Sequence, residues 1–137
     1  MKKYLVLFWL FVCMAALVGC GGQEISDFVE SDVKNVEVRV ENVSPAGVTL
    51  TIKDTNAEPY VYGEWYEVNR LENGNWCVVE PIIEAYGFTE IGYIVDENGL
   101  VKFDVDWTWL YGELPAGHYR ILKQAGQKTI AAEFAVE

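Results

Sequence analysis

The side chains able to do chemistry are few. The sequence holds one histidine, His118, and three cysteines, Cys13, Cys20 and Cys77. Its serines are Ser26, Ser31 and Ser44, all close to the start of the chain and none in a Gly-x-Ser-x-Gly elbow. A Ser-His-Asp site therefore has no marked nucleophile. Cys77 with His118 is the remaining nucleophile pair on paper, but no local pattern marks either residue. One histidine and one spare cysteine cannot make a usual zinc site. Asp96, Glu97 and Asn98 share a turn, and Asp104 and Asp106 alternate along a strand pattern. Calcium needs six to eight oxygens at defined spacing, and neither group has it, so both read as solvated acidic surface. Paired carboxylates for glycoside hydrolysis are equally unmarked. No catalytic residue, metal or cofactor is expected.

Cys20 is the exception, because its surroundings give it a chemistry. Lys2 and Lys3 precede the uncharged apolar run Tyr4 to Leu17, and Leu17-Val18-Gly19-Cys20 follows. The run is shorter than the ~20 residues of a membrane span and ends in Gly-Cys-Gly-Gly, the layout of an export signal. It resembles the bacterial lipobox. The resemblance implies cleavage between Gly19 and Cys20, a diacylglyceryl group on the Cys20 thiol, and a chain anchored to the outer side of the membrane. Membrane lipid, held through acylated Cys20, is thus the first expected partner. Cys13 leaves with the signal, which leaves Cys77 without a partner. The expectation is a domain with no disulfide and a buried, inert Cys77.

Loss of Lys2 and Lys3 makes the formal charge of -11 more negative by two. So acidic a domain has no means of binding nucleic acid by counterion release. Its charge holds it off an anionic bilayer, so the acyl chains must supply the attachment.

The expected organisation is a signal peptide over 1–19, the lipidated cysteine and a flexible tether over 20–34, and one domain over 35–137. From Val36 the period is two. Val36, Val38 and Val40 alternate with charged residues, as do Val48, Leu50 and Ile52 with Thr49, Thr51 and Lys53. Further strands are expected over Tyr60 to Leu71, Trp76 to Val79, Ile91 to Val95, Val101 to Trp109, His118 to Lys123 and Thr129 to Val136. Asn73-Gly74 marks a tight hairpin turn. Pro81 to Thr89 has no clear period, and a short helical turn is one reading. Seven to eight short strands with turns between them predict an all-β antiparallel β-sandwich, with a small closed barrel as the alternative. Trp107 and Trp109 fall on the apolar parity and read as core. Trp65 falls in with Glu67 and Asn69, which gives it a place on a possible binding surface.

Three stretches together are similar to a bacterial immunoglobulin-like domain family found on exported proteins of Gram-positive bacteria. They are Tyr62-Gly63-Glu64-Trp65-Tyr66-Glu67-Val68, Asn73-Gly74-Asn75-Trp76, and the run from Trp107 through Leu110-Tyr111-Gly112 to Pro115-Ala116-Gly117-His118-Tyr119-Arg120-Ile121. The resemblance implies an immunoglobulin-like sandwich and a non-enzymatic module that binds or spaces an envelope protein or glycan. Pro115, Gly117 and Tyr119 stand where such sandwiches lock a corner with a tyrosine hydroxyl. A loop-based inhibitor of an extracellular or envelope protease is the rival reading. Its working loops would be Pro115 to Gly117 and Glu72 to Asn75.

Overall fold

The computed structural model describes residues 20–137. The expected cleavage at Gly19 and the apolar run before it lie outside these residues. Eight strands follow in order: β1 (Val36–Ser44), β2 (Gly47–Asp54), β3 (Tyr62–Glu72), β4 (Asn75–Val78), β5 (Gly92–Tyr93), β6 (Leu100–Asp106), β7 (Gly117–Ala125) and β8 (Lys128–Val136). A single helical turn, α1 (Thr108–Tyr111), joins β6 to the loop before β7. One sheet runs β1-β2-β6. The other runs β4-β3-β7-β8, with β5 paired to β3. All pairings are antiparallel.

Alternation places the core. Val48, Leu50 and Ile52 of β2 and Phe103 and Val105 of β6 are buried from one sheet. Val68, Tyr119, Ile121, Ile130 and Phe134 are buried from the other. Their apolar faces join in one cluster, which is what two half-buried sheets must do to leave water. Gly47 is required where β2 meets β6, because a Cβ there would sit 1.9 Å from the carbonyl oxygen of Val105. Asn73 and Gly74 both take positive φ in the β3–β4 turn, as the sequence pair predicts.

Trp107 fastens the sandwich from the end of β6. It is fully buried, its ring stacks on Phe134 with centroids 5.5 Å apart, and its indole N–H donates to the Pro45 carbonyl at 2.7 Å. Trp109 corrects the sequence expectation. It is exposed, not core, because the strand stops at Asp106. The Asp106 carboxylate accepts from the Thr108 amide at 2.9 Å and from its hydroxyl, and the chain coils into α1. The period changes from two to 3.6 there, so Trp109 leaves the face that Trp107 occupies. Residues 81–89 form bends and coil without a helix.

At the corner before β7, the Tyr119 hydroxyl donates to the Pro115 carbonyl at 2.7 Å, and the ring is buried against Phe134. Tyr119→Phe keeps the ring and strips this carbonyl of its donor, so it should cost about 1–3 kcal/mol. The exposed neighbour His118 should tolerate alanine within about 0.5 kcal/mol. Urea denaturation of the two variants checks the ranking. A larger loss from His118→Ala would mean that the corner is held by something other than the tyrosine.

Candidate functional site

The N-terminal segment is not the free tether expected. Ile25 bridges to Cys77 on the edge of β4, with the Ser26 amide donating to the Trp76 carbonyl at 2.8 Å and the Val78 amide to Glu24 at 2.8 Å. The segment then crosses the outer face of the larger sheet. The Arg120 guanidinium donates to the Phe28 carbonyl at 3.0 Å, to the Ser26 hydroxyl at 3.3 Å and to the Asn69 side-chain oxygen at 2.8 Å. It also lies 4.9 Å from the centre of the Trp76 ring, in cation–π contact. Beyond it, the Ser31 amide donates to the Thr129 carbonyl at 2.8 Å. The acidic composition of 24–32 suggested solvation. The unpaired edge of β4 and the buried Arg120 supply what composition does not reveal, a set of backbone and side-chain partners.

Docking of this segment brings Cys20 to Cys77, and the two are joined as a disulfide with Cα atoms 5.5 Å apart. This corrects the expectation of a domain without a disulfide and of a lone Cys77. Cys77 is buried as expected, but its neighbour is the cysteine that the sequence reading reserved for lipid. A sulfur in a disulfide cannot also carry a thioether. The bridge therefore belongs to a chain whose Cys20 is not acylated, and in an acylated chain Cys77 is a thiol. The backbone bonds of Glu24, Ser26 and Val78 do not pass through the sulfurs, so the pairing of Glu24 to Ser26 with β4 does not depend on the bridge.

Trp65 lies on the outer parity with Glu67, as its spacing predicts, but it is only half exposed. Phe28 of the crossing segment covers it, with ring centroids 5.3 Å apart. Its strand breaks register here. Tyr62 pairs with Ala125 and Tyr66 with Lys123, so three residues of β3 face one of β7. This bulge is filled from inside by Lys123. Its ammonium donates to the carbonyls of Gly63 and Trp65 and lies 3.9 Å from the centre of the Phe103 ring. Burial pushes the Lys123 pKa down to about 8, against the opposing pull of Glu64. Sequence reasoning passed over Lys123, although it shares the inward parity of Tyr119 and Ile121, and that was the available signal.

The bulge opens a groove of about 520 Å³ between β3 and residues 88–92, walled by Trp65, Phe88, Ile91, Glu64 and Glu90. Glu64 is held in place by the Tyr93 hydroxyl, which donates to it. The groove offers apolar walls and two carboxylates, a surface for a partner with apolar and cationic groups.

The carboxylates named from the sequence are otherwise engaged. Asp96 accepts from the amides of Asn98 and Leu100, each at 2.9 Å, and Asp104 from the Thr49 hydroxyl at 3.0 Å. Asp54, not singled out from the sequence, is a buried anchor. It accepts from the Tyr62 hydroxyl, the Tyr60 amide and Asn56 at 2.8–3.0 Å. Burial alone would raise its pKa, but these hydrogen bonds outweigh it and hold the carboxyl below its usual value. Among the described residues no group of three or more His, Cys, Asp or Glu side chains converges on a metal position. Arg70 links the two loops named for an inhibitor, with Nη2 donating to the Ala116 carbonyl at 3.3 Å and Nε 3.5 Å from Glu72.

The model of a family described as bacterial Ig-like domain matches residues 30–135. No curated protein and no solved structure matches the chain.

Proposed function

Because this chain belongs to the bacterial Ig-like domain family, whose members are generally non-catalytic binding or spacer modules, we propose that it is an extracytoplasmic lipoprotein. Its sandwich is displayed at the membrane by acylated Cys20 and binds an envelope partner. The observation that carries the anchor is the order of Lys2-Lys3, the apolar run Tyr4 to Leu17, and Leu17-Val18-Gly19-Cys20. Support for binding rather than spacing comes from the groove beside Trp65, with its carboxylates Glu64 and Glu90. A cationic segment of an envelope protein suits those walls better than a neutral glycan does, since the carboxylates select for charge.

The anchor is tested by Cys20→Ala in the full chain. Cleavage and acylation both act at this residue, so the variant should accumulate as an uncleaved precursor with no acyl mass. Normal maturation of the wild type with an unmodified N-terminus would sink the reading. The inhibitor reading draws on Arg70, which holds the two candidate loops at one end of the sandwich. Inhibition of an envelope protease by the soluble domain would favour it over the groove.

A further inference from the structure

The anchor point lies beside an apolar surface. Gly22 to Glu24 form one wall of a small cleft, and Val78, Glu80 and Pro81 form the other. Pro81 opens the irregular segment that carries Ile82 (64% exposed), Ile83 and Tyr86 (50% exposed). The Ile82 amide donates to the Leu110 carbonyl at 2.8 Å, which sets this segment against α1 and its exposed Trp109. The Tyr86, Phe88 and Trp109 rings then pack edge to face, with centroids 5.8–6.5 Å apart. The cleft thus sets the start of this run of exposed isoleucine and aromatic side chains beside Gly22 to Glu24, the residues that follow Cys20.

We propose that this face, Ile82, Ile83, Tyr86 and Trp109, rests in the headgroup region of the bilayer that holds the acyl chains of Cys20. The inference rests on the lipoprotein reading. Glu24, four residues after Cys20, is paired to Val78 of β4, so a lipid on Cys20 leaves only that short leash between the bilayer and the surface around β4 and Pro81. Trp and Tyr suit that depth, because their rings are apolar and their N–H or O–H stays hydrated. Isoleucines exposed to water gain by entering it. Glu24, Glu80 and Glu84 border the same face, so the matching headgroups are zwitterionic ones that present an ammonium, and anionic lipid opposes the contact.

The test uses the acylated full chain, purified from membranes and reconstituted in phosphatidylcholine vesicles with brominated acyl chains. Bromine quenches only tryptophans that reach the bilayer. Quenching should be present in the wild type and fall roughly twofold or more in Trp109→Phe, as expected for a tryptophan at the interface. It should be unchanged in Trp65→Phe, whose ring lies under Phe28. Admixed anionic phosphatidylglycerol should weaken it. Mass spectrometry of the N-terminus separates the two readings. Absent acyl mass overturns the anchor and the docking together, whereas acyl mass with no quenching, or with quenching indifferent to Trp109→Phe, overturns the docking alone. A concentration-dependent dimer in detergent that Trp109→Phe dissolves would assign the face to a second copy, and would also overturn it.

Discussion

Raising the pH from 8 to 10 should stabilise the domain, and raising it from 10 to 12 should unfold it. The first limb is Lys123. Its folded pKa is lowered to about 8 by burial, while an unfolded lysine titrates near 10.4. Between these values the unfolded chain binds the extra proton, so stability rises with pH by up to about 1.4 kcal/mol per unit. The second limb is tyrosine. Tyr62, Tyr66 and Tyr111 are buried, and burial is the first cause that raises each pKa, that of Tyr66 to about 12. Their stabilising contribution is complete below the unfolded value of about 10 and is lost as pH climbs toward the folded values, by up to about 4 kcal/mol per unit for the three together. Urea midpoints at pH 8, 10 and 11.5, with phenolate absorbance followed in parallel, would show the rise and fall. Lys123→Met should remove the rise and leave the fall. A profile flat from 10 to 12 would mean that these hydroxyls ionise without leaving the core.

Reduction should cost an unacylated chain that retains Cys20 about 4 kcal/mol, the loop-closure term for a bridge spanning a sequence separation of 57. The segment that carries Cys20 gains from the bridge by being kept at its docking site on β4. Cys77→Ser should match the reduced protein, and a chain beginning at Gly21 should be indifferent to reductant. Melting curves with and without reductant, with a thiol count on the unfolded protein, decide it. Two free thiols and unchanged melting in the oxidised preparation would show that the cysteines lie apart.

The strands were legible because their alternation is clean. Val36 to Val40, Val48 to Ile52 and Ile130 to Val136 could face inward in only one register, since a slip of one residue would expose every apolar side chain. The corner at Tyr119 was legible from Pro115 and Gly117, which restrict the backbone locally. What failed was of another kind. Trp109 was misplaced because parity was carried past Asp106, where a side chain ends the strand by hydrogen bonding to the next backbone amide. The role of Lys123 depends on a register break between β3 and β7, and a one-dimensional pattern contains no register. The Cys20–Cys77 pairing was passed over because the lipobox resemblance reserved Cys20 for lipid, and the docking of the segment was hidden because it reads as a tether while its partners Trp76, Arg120 and Thr129 stand far along the chain. Pairing between remote backbone groups leaves no periodic trace. The groove beside Trp65 is a product of that same bulge, so only its aromatic residue could be named beforehand.

The crossing segment also sets the order in which the molecule can be finished. Ser26 and Phe28 wait for Arg120, and Ser31 waits for Thr129, a separation of 98 residues. A chain made from its N-terminus has released these residues long before β7 and β8 exist. Closure of the larger sheet is therefore deferred until almost the last residue has appeared, a contact order typical of slow β folders. Until then Phe28 and Ser31 lack the partners that hold them to β7 and β8, although Glu24 and Ser26 can already pair with β4. The final strands thus both complete the sheet and bind the crossing segment.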